Sequence, residues 1–277
     1  FWRSSGHYGD FGGGVFAALT VPYTVAFADN GKKIRYTATN GCGTVNGNEV
    51  VITVSSANTW TGGTSTAWTT ATNWSCGVVP GSASDVTIST ATFYPEISSD
   101  VTINSLTLDS GTTLKVNTSN SLTVTDLVDN DGTVTLENNA YLLQTNNVTN
   151  TGSGSTNVKC NSSSIMRLDY TMWSSPVTGQ GLYAFSPLTF ANRFYQYLTA
   201  TDLYNNSLGF AITGLDANGV NGTDSNNVPF TTAKGYLIRT PWNHPTTPTV
   251  WTGQFTGLPN NGNIGYTLET TGNRFNA

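Results

Sequence analysis

The sequence contains few charged residues. Its 277 residues include 11 Lys and Arg and 16 Asp and Glu, so that charged residues make up 10% of the chain, less than half of the ~25% found in an ordinary soluble domain. Scattered basic residues and a net charge of −5 cannot neutralise a track of phosphates, which argues against nucleic-acid binding. No run of ~18 apolar residues occurs, so no membrane insertion is expected.

Histidine and cysteine are also scarce. The cysteines Cys42, Cys76 and Cys160 lie far apart, a spacing that disfavours a zinc site or a redox motif. Their odd number predicts a thiol without a partner or a partner outside this sequence, and leaves the pairing open. The two histidines, His7 and His244, have no metal-binding spacing, and no nucleophile elbow, phosphate loop or dinucleotide motif occurs. The sequence predicts a protein that is not an enzyme and has no cofactor, except for calcium as an open alternative.

The polar residues of the sequence are mostly small and uncharged. Thr occurs 47 times, Asn 30, Gly 29 and Ser 25, so the polar surface consists of hydroxyls and amides. A hydrophobic content of 37% argues against disorder. Short runs that alternate Thr or Ser with aliphatic residues, such as residues 101–108, lie between turn signals, and no window keeps a helical period. The sequence predicts an all-β protein.

The first predicted module spans residues 1–56. Trp2 is typical of the core tryptophan of an immunoglobulin-like sandwich, and the turn at residues 29–31 is typical of the corner before a late strand of that fold. About 54 residues is roughly half of such a domain. We therefore expect the C-terminal half of an Ig-like domain, in a chain that is part of a longer protein.

The second predicted module spans residues 57–150 and opens with Trp60, Trp68 and Trp74. Aliphatic residues then recur at intervals of 8 or 12, and an alignment of residues 105–108 with 121–124 suggests a 16-residue unit of two strands. Stacked units of this kind predict a short β-solenoid capped by the tryptophans. An antiparallel β-repeat sandwich with evenly spaced hairpins is the alternative.

The third predicted module spans residues 151–277. It follows a Gly/Ser linker at residues 151–155 and is rich in aromatic residues separated by Pro, Gly and Asn turns. This pattern predicts a jelly-roll-like β-sandwich. Its last residues read as the start of a further strand, so we expect the module to be truncated at its C-terminus.

Acidic loops near glycine are the candidate metal sites. The first choice is the loop containing Asp216, Asn218, Asn221 and Asp224, and residues 126–132 form a second acidic loop. Closely spaced Asp and Asn offer the oxygen ligands that calcium requires. The same residues next to glycine are ordinary turn formers, which is the alternative interpretation.

Three tryptophans are candidate ligand-binding residues. Trp242 and Trp251 flank two prolines on a predicted loop, and Trp60 lies in the tryptophan-rich segment. An aromatic face packs well against the C–H surface of a sugar, so we predict that these residues stack on a glycan. The alternative is that they pack in the core, with Trp60 in the cap of the repeats.

Four stretches together resemble a known family. Residues 59–75, 167–177, 234–239 and 255–262 are similar to segments of large secreted surface proteins of Bacteroidota that the type IX secretion system exports, some of which are gliding-motility adhesins. The resemblance covers residues 20–277. It carries no catalytic signature that transfers to this chain.

The resemblance implies an extracellular location at the outer cell surface. It also implies a non-catalytic, multi-module β stalk or display region of an adhesin, serving surface attachment or gliding motility. The implied partners are a polysaccharide or another surface ligand, and proteins of the secretion or motility machinery. The alternative function is a carbohydrate-binding accessory region of a secreted polysaccharide hydrolase.

Overall fold

A computed structural model describes residues 32–35, 37–51, 56–208, 212–224 and 227–272. The chain divides into two units, residues 1–56 and 57–277. Trp2, His7 and the turn at residues 29–31 lie outside the described residues. No helix in the described ranges is long and apolar enough to cross a membrane.

The described part of the first unit consists of two antiparallel strand pairs. Strand β1 (Lys33–Ile34) pairs with β4 (Val50–Val51), and β2 (Thr37–Asn40) forms a hairpin with β3 (Gly43–Asn46). The ammonium of Lys33 lies 2.9 Å from the carboxylate of Glu49. The assignment of this unit as half of an Ig-like domain stays a prediction.

The second unit begins with a parallel β-solenoid of about four turns, in which each full turn contributes one strand to each of three sheets. The first sheet contains β5 (Ala57–Trp60), β6 (Asp85–Ile88), β9 (Ser105–Leu108) and β12 (Val128–Asn130). The second contains β7 (Glu96–Ile97), β10 (Thr113–Val116), β13 (Thr133–Leu136) and β15 (Ser155–Ile165). The third contains β8 (Val101–Ile103), β11 (Ser121–Val124) and β14 (Tyr141–Gln144).

The repeat is longer than the 16 residues predicted from the sequence. Leu114 pairs with Val134 and Val134 with Thr156, so that successive turns are 20 and 22 positions apart. The segments 105–108 and 121–124, which the sequence alignment treated as equivalent, lie in different sheets. The 8-residue spacing of leucines separates strands of neighbouring sheets within one turn. The sequence suggested a repeat at this spacing because the strands of all three sheets alternate inward and outward residues in the same way.

The interior of the solenoid is built from columns of equivalent side chains. Its strands alternate buried and half-exposed residues, as in the pattern of β6, β9, β11 and β13, and Thr occupies many outward positions. One column runs from Trp60 through Ile88 and Leu108 to Asn130, all at most 3% exposed. Burial of the apolar side chains in these columns is the main stabilising contribution to this part of the fold.

Outward-facing charges bridge neighbouring turns. Lys115 and Glu96 are 3.4 Å apart, and Lys159 and Glu137 are 2.9 Å apart. One carboxylate oxygen of Asp131 accepts hydrogen bonds from the backbone N–H and the hydroxyl of Ser153 one turn later, and these bonds lower the pKa of Asp131. Half-exposed pairs of this kind contribute modestly to stability, and they join residues that the strand register places side by side.

The first and second sheets of the solenoid are covered at their ends, whereas in the described ranges no further strand flanks the third sheet. At the start, residues 73–75 hydrogen-bond along β5 and residues 66–68 along β7. At the end, the long strand β15 pairs in parallel with β13 and antiparallel with β23 (Thr249–Pro259). Covered edges prevent the edge-to-edge pairing that open sheets invite.

The remaining part of the unit is antiparallel and rich in aromatic residues. Its four-stranded sheet has the order β16 (Tyr170–Trp173), β22 (Tyr236–Arg239), β18 (Phe194–Leu198) and β19 (Leu203–Asn206). Short elements complete it: β17 (Val177–Thr178), α1 (Leu182–Phe185), a 3-10 turn at Ala191–Arg193, β20 (Ile212–Thr213) and β21 (Thr223–Asp224). Phe185 stacks on Phe255 at a centroid distance of 4.4 Å within the core of this part. The jelly-roll-like assignment stays a prediction.

Candidate functional site

The predicted calcium loop forms a closed network of internal hydrogen bonds. Oδ1 of Asp216 accepts hydrogen bonds from the backbone N–H groups of Asn218, at 2.8 Å, and Val220, at 3.1 Å. Oδ2 of Asp216 accepts one from the side-chain amide of Asn221, at 2.7 Å. These three bonds occupy most of the roughly four lone-pair sites of the carboxylate, so a calcium ion at Asp216 would compete with the N–H donors for its oxygens.

The other predicted ligand of this loop lies in a strand. Asp224 ends β21, and its Oδ2 accepts a hydrogen bond from the backbone N–H of Val228 at 3.0 Å. In the described part of the chain, no group of three or more His, Cys, Asp or Glu side chains is placed to hold a metal ion. The structure thus assigns turn-forming bonds to these residues, and calcium binding stays a prediction.

The second acidic loop, residues 126–132, belongs to the solenoid. Asp129 accepts a hydrogen bond from the hydroxyl of Thr151 at 2.7 Å. Asn130 is buried, with its amide oxygen accepting from the N–H of Gly132 and its NH₂ donating to the carbonyl of Ser155. These side chains connect one turn to the next.

The carboxylate of Asp216 gives the loop a definite pH dependence. The amide of Asn221 and the backbone N–H groups hold the pKa of Asp216 below its ordinary value. A lowered pKa in the folded state means that the bonds stabilise the loop above the unfolded pKa and are lost as the pH falls through the folded pKa. We expect the side-chain amide signals of Asn221, followed by NMR during acid titration, to change with a midpoint below the usual range of Asp.

The matched variant for this titration is Asp216→Asn, which removes the titrating group. The acid transition of the Asn221 amide should then disappear. A midpoint in the usual range of Asp in the unmodified protein would contradict the prediction.

Trp60 is buried inside the cap of the solenoid. It is 1% exposed, and its indole N–H donates to the carbonyl of Phe93 at 2.7 Å. Its ring is 4.9 Å from the ring of Trp74 and 6.4 Å from that of Trp68, measured between centroids. The predicted stacking of Trp60 on a sugar does not fit this position, because neither face of the ring is open to a ligand.

Trp242 and Trp251 are both half-buried. Trp251 lies in β23, and its ring packs edge-on against Trp173 at 5.3 Å and Phe185 at 5.4 Å. Trp242 lies in the turn between β22 and β23, where its backbone N–H donates to the carbonyl of Leu188. The indole N–H of Trp242 is buried without a hydrogen-bond partner among the described residues. Trp60 belongs to the solenoid cap and Trp251 to the C-terminal aromatic core, so the structure does not join them in one platform.

An uncharged groove, which the sequence did not predict, runs along the outer edge of β14. Its volume is about 400 Å³. Many of its amides bond to one another or to the backbone: Gln144 and Asn150 exchange two bonds of 2.7 Å, and Asn261 donates to the carbonyl of Val148. The groove is lined by Leu142, Leu143, Gln144, Thr145, Asn146, Asn147, Asn260, Asn261, Gly262 and Asn263.

A second surface that the sequence did not predict, which we call the arginine–tyrosine face, is formed by Arg167, Tyr170, Arg193, Tyr195 and Arg239. Tyr170 of β16 lies directly opposite Arg239 of β22, and Arg193 immediately precedes β18. These residues are distant in sequence, and strand pairing alone brings them together. The sequence offers one hint of this face. Basic residues are scarce, and three of the eleven meet here.

Comparison with known proteins identifies a family for the second unit. A family model described as "Domain of unknown function (DUF8693)" matches residues 59–276. No curated protein and no solved structure matches the chain. The matched range extends from the first tryptophan segment through the solenoid and the aromatic part, and covers well over half of the sequence. The chain therefore belongs to the family of the domain of unknown function DUF8693.

Proposed function

We propose that this chain is a non-catalytic segment of a secreted cell-surface adhesin, serving as a multi-module β stalk that displays binding surfaces for attachment or gliding motility. In this proposal the protein works outside the cell, at its outer surface. Its ligand is a polysaccharide or another surface, and proteins of the secretion or motility machinery are its further partners. The segment itself contributes rigidity and weak, repeated contacts.

The observation that supports this proposal most strongly is one continuous sheet. Six strands follow in the order β17, β23, β15, β13, β10 and β7, so the sheet runs from the second turn of the solenoid into the aromatic part. The eleven-residue strand β15 pairs with neighbours on both sides. A shared sheet leaves no flexible linker between the two parts, because relative motion would break its backbone hydrogen bonds. A rigid spacer requires such a connection.

The surface chemistry suits such a role. Only 10% of the residues are charged. Most side-chain bonds between turns join a hydroxyl or amide donor to a carboxylate, as in Ser105 to Asp85, Ser121 to Asp100 and Thr151 to Asp129, so few of them are pairs of opposite charges that salt screens. The resemblance of four stretches to segments of secreted surface proteins of Bacteroidota supports the same proposal. Weak binding surfaces gain strength when many copies are displayed together.

The experiment is a flow-chamber assay with beads that carry the complete 277-residue chain at increasing density. The chamber is coated with pectin, alginate, starch or dextran. We expect attachment to at least one coating to rise steeply with density, whereas the soluble chain dissociates rapidly from the same coating. Beads that carry an unrelated acidic β protein serve as the control.

Two results would count against the proposal. Beads that attach to no coating at any density would contradict the adhesive role. Release of reducing sugar ends from the coatings during incubation would contradict the non-catalytic role and favour a hydrolase.

A further inference from the structure

The arginine–tyrosine face lies on one side of the four-stranded antiparallel sheet. Because directly opposed residues share a face, Tyr170 and Arg239 point the same way. The rings of Tyr170 and Tyr195 are 6.0 Å apart, and the guanidinium of Arg193 donates to the hydroxyl of Tyr195 at 3.2 Å. Tyr170 is 37% exposed and Met172, two positions along the same strand, is 45% exposed, so the face is open to solvent.

Among the residues that the structure describes, the arginines of this face have no acidic ion-pair partner. The ion pairs found within the described ranges involve Lys33, Arg35, Lys115 and Lys159, and none involves Arg167, Arg193 or Arg239. The acid that precedes Tyr170 is Asp169, whose carboxylate accepts a hydrogen bond from the backbone N–H of Met166 at 2.8 Å. In a chain with a net charge of −5, this grouping of uncompensated cations is unexpected.

Arg239 carries an unused donor. Its Nε is buried and has no hydrogen-bond partner in the described part of the structure, while the guanidinium carbon lies 5.0 Å from the ring centroid of Phe190. A buried N–H of a cation without an acceptor is costly. Burial, together with the charge of Arg193, lowers the pKa of Arg239, although an arginine stays protonated in proteins. Because Nε is buried, an oxyanion from solution would meet the terminal amino groups of the Arg239 guanidinium, where it would complement the charge.

The arginines and the neighbouring tyrosine rings together indicate the chemistry of the ligand. A guanidinium binds a carboxylate or a sulfate through two parallel hydrogen bonds, and a tyrosine ring offers a flat surface to the C–H groups of a sugar. Tyr170, Arg239 and Tyr195 lie on the adjacent strands β16, β22 and β18, and adjacent strands are ~4.8 Å apart. The face therefore spans about 10 Å, which suits an extended anion better than a single small ion.

We propose that the arginine–tyrosine face binds an anionic polysaccharide, with Arg239 and Arg193 holding the acidic groups and Tyr170 packing against a sugar ring. This inference rests on the proposed attachment function and names its ligand class. Carboxylate and sulfate groups share the required chemistry, and the probes below distinguish them.

The test is calorimetric titration of the complete chain, in phosphate-free buffer at low salt, with hexagalacturonate, a sulfated carrageenan hexasaccharide, neutral cellohexaose and a hexaglutamate peptide. We expect at least one anionic sugar to bind, with an affinity that falls as salt rises, and the neutral sugar not to bind. Arg193→Gln and Arg239→Gln should each weaken binding by about tenfold or more, as expected for the loss of a charge-assisted hydrogen bond. Lys115→Gln on the solenoid removes the same charge and should change affinity less than about twofold.

A second measurement does not depend on any variant remaining folded. The Nε–H signal of Arg239 should shift in the NMR spectrum of the unmodified protein when the anionic sugar is added.

The variant Arg239→Lys keeps the charge but lacks the planar fork of the guanidinium. The affinity of this variant for the anionic sugar should therefore stay below that of the unmodified chain.

Several outcomes would overturn the inference: no binding of either anionic sugar, equal binding by the Arg193→Gln and Lys115→Gln variants, or tighter binding of hexaglutamate, which would indicate an acidic protein partner. The bead assay distinguishes a failure of this inference from a failure of the proposed adhesin function. Beads that attach equally with and without Arg193→Gln would leave the adhesin proposal standing and reject this face as its site. Sugar binding to this face without bead attachment would support the face as a sugar-binding site and contradict the adhesin proposal.

Discussion

Replacement of Trp60 by alanine is expected to lower the free energy of unfolding of the second unit by about 3–5 kcal/mol, the usual cost of removing a fully buried large aromatic side chain. Trp60 lies at the top of an interior column, directly above Ile88. It also contacts both other rings of the cap, Trp68 and Trp74. The truncation therefore opens a cavity at the end of the solenoid and leaves the carbonyl of Phe93 without its donor.

The measurement is urea denaturation followed by far-UV circular dichroism, which does not depend on tryptophan emission. Trp60→Phe keeps an aromatic ring but loses the indole N–H, and should cost less than Trp60→Ala. Val78→Ala removes a side chain that is 59% exposed and should change stability by less than about 0.5 kcal/mol. A loss below about 1 kcal/mol for Trp60→Ala would contradict the structural role of the cap.

The cap also illustrates which features the sequence could predict. Three tryptophans close together indicated a capping element, and the structure packs them as one cluster. Asn73, in the same motif, is fully buried, accepts hydrogen bonds from the backbone N–H groups of Thr64 and Ser65, and donates to the carbonyl of Ala67. The composition pointed to an all-β protein because Thr-decorated alternation with period two is a direct consequence of strand geometry.

The repeat length and the candidate sites depended on information that the sequence does not carry locally. The strands of all three sheets of the solenoid share the same alternation of residues. The 8-residue spacing between neighbouring sheets was therefore visible in the sequence, and the longer spacing between turns was not. Asp216 looked like a calcium ligand because turn formers and calcium ligands are the same residue types. The arginine–tyrosine face was hidden because Tyr170, Arg193 and Arg239 meet only through antiparallel pairing of distant strands.

Replacement of Gly154 by alanine is expected to destabilise the junction between the last turn of the solenoid and β15 by about 1–3 kcal/mol, the usual cost of overpacking. A Cβ atom at Gly154 would overlap the carbonyl oxygen of Gly132 and come within 2.7 Å of that of Asn130. Both obstacles are backbone atoms, which cannot rotate away. The N–H of Gly154 donates to Asn130 at 2.7 Å and that of Ser155 to Gly132 at 3.0 Å, and these bonds would have to lengthen.

This junction is the point at which the continuous sheet passes from the solenoid to the aromatic part, so the variant tests the rigidity on which the proposed function depends. We expect faster hydrogen exchange along β15 and β13, together with a lower midpoint of urea denaturation. Gly63→Ala is the matched control, because no atom lies within 4 Å of a Cβ built at Gly63. Since the aromatic core around Phe185 and Phe255 does not include the junction, exchange in β22 should change less than in β15. Equal protection of β15 in the Gly154→Ala and Gly63→Ala variants would show that the close packing of these turns does not hold the two parts together.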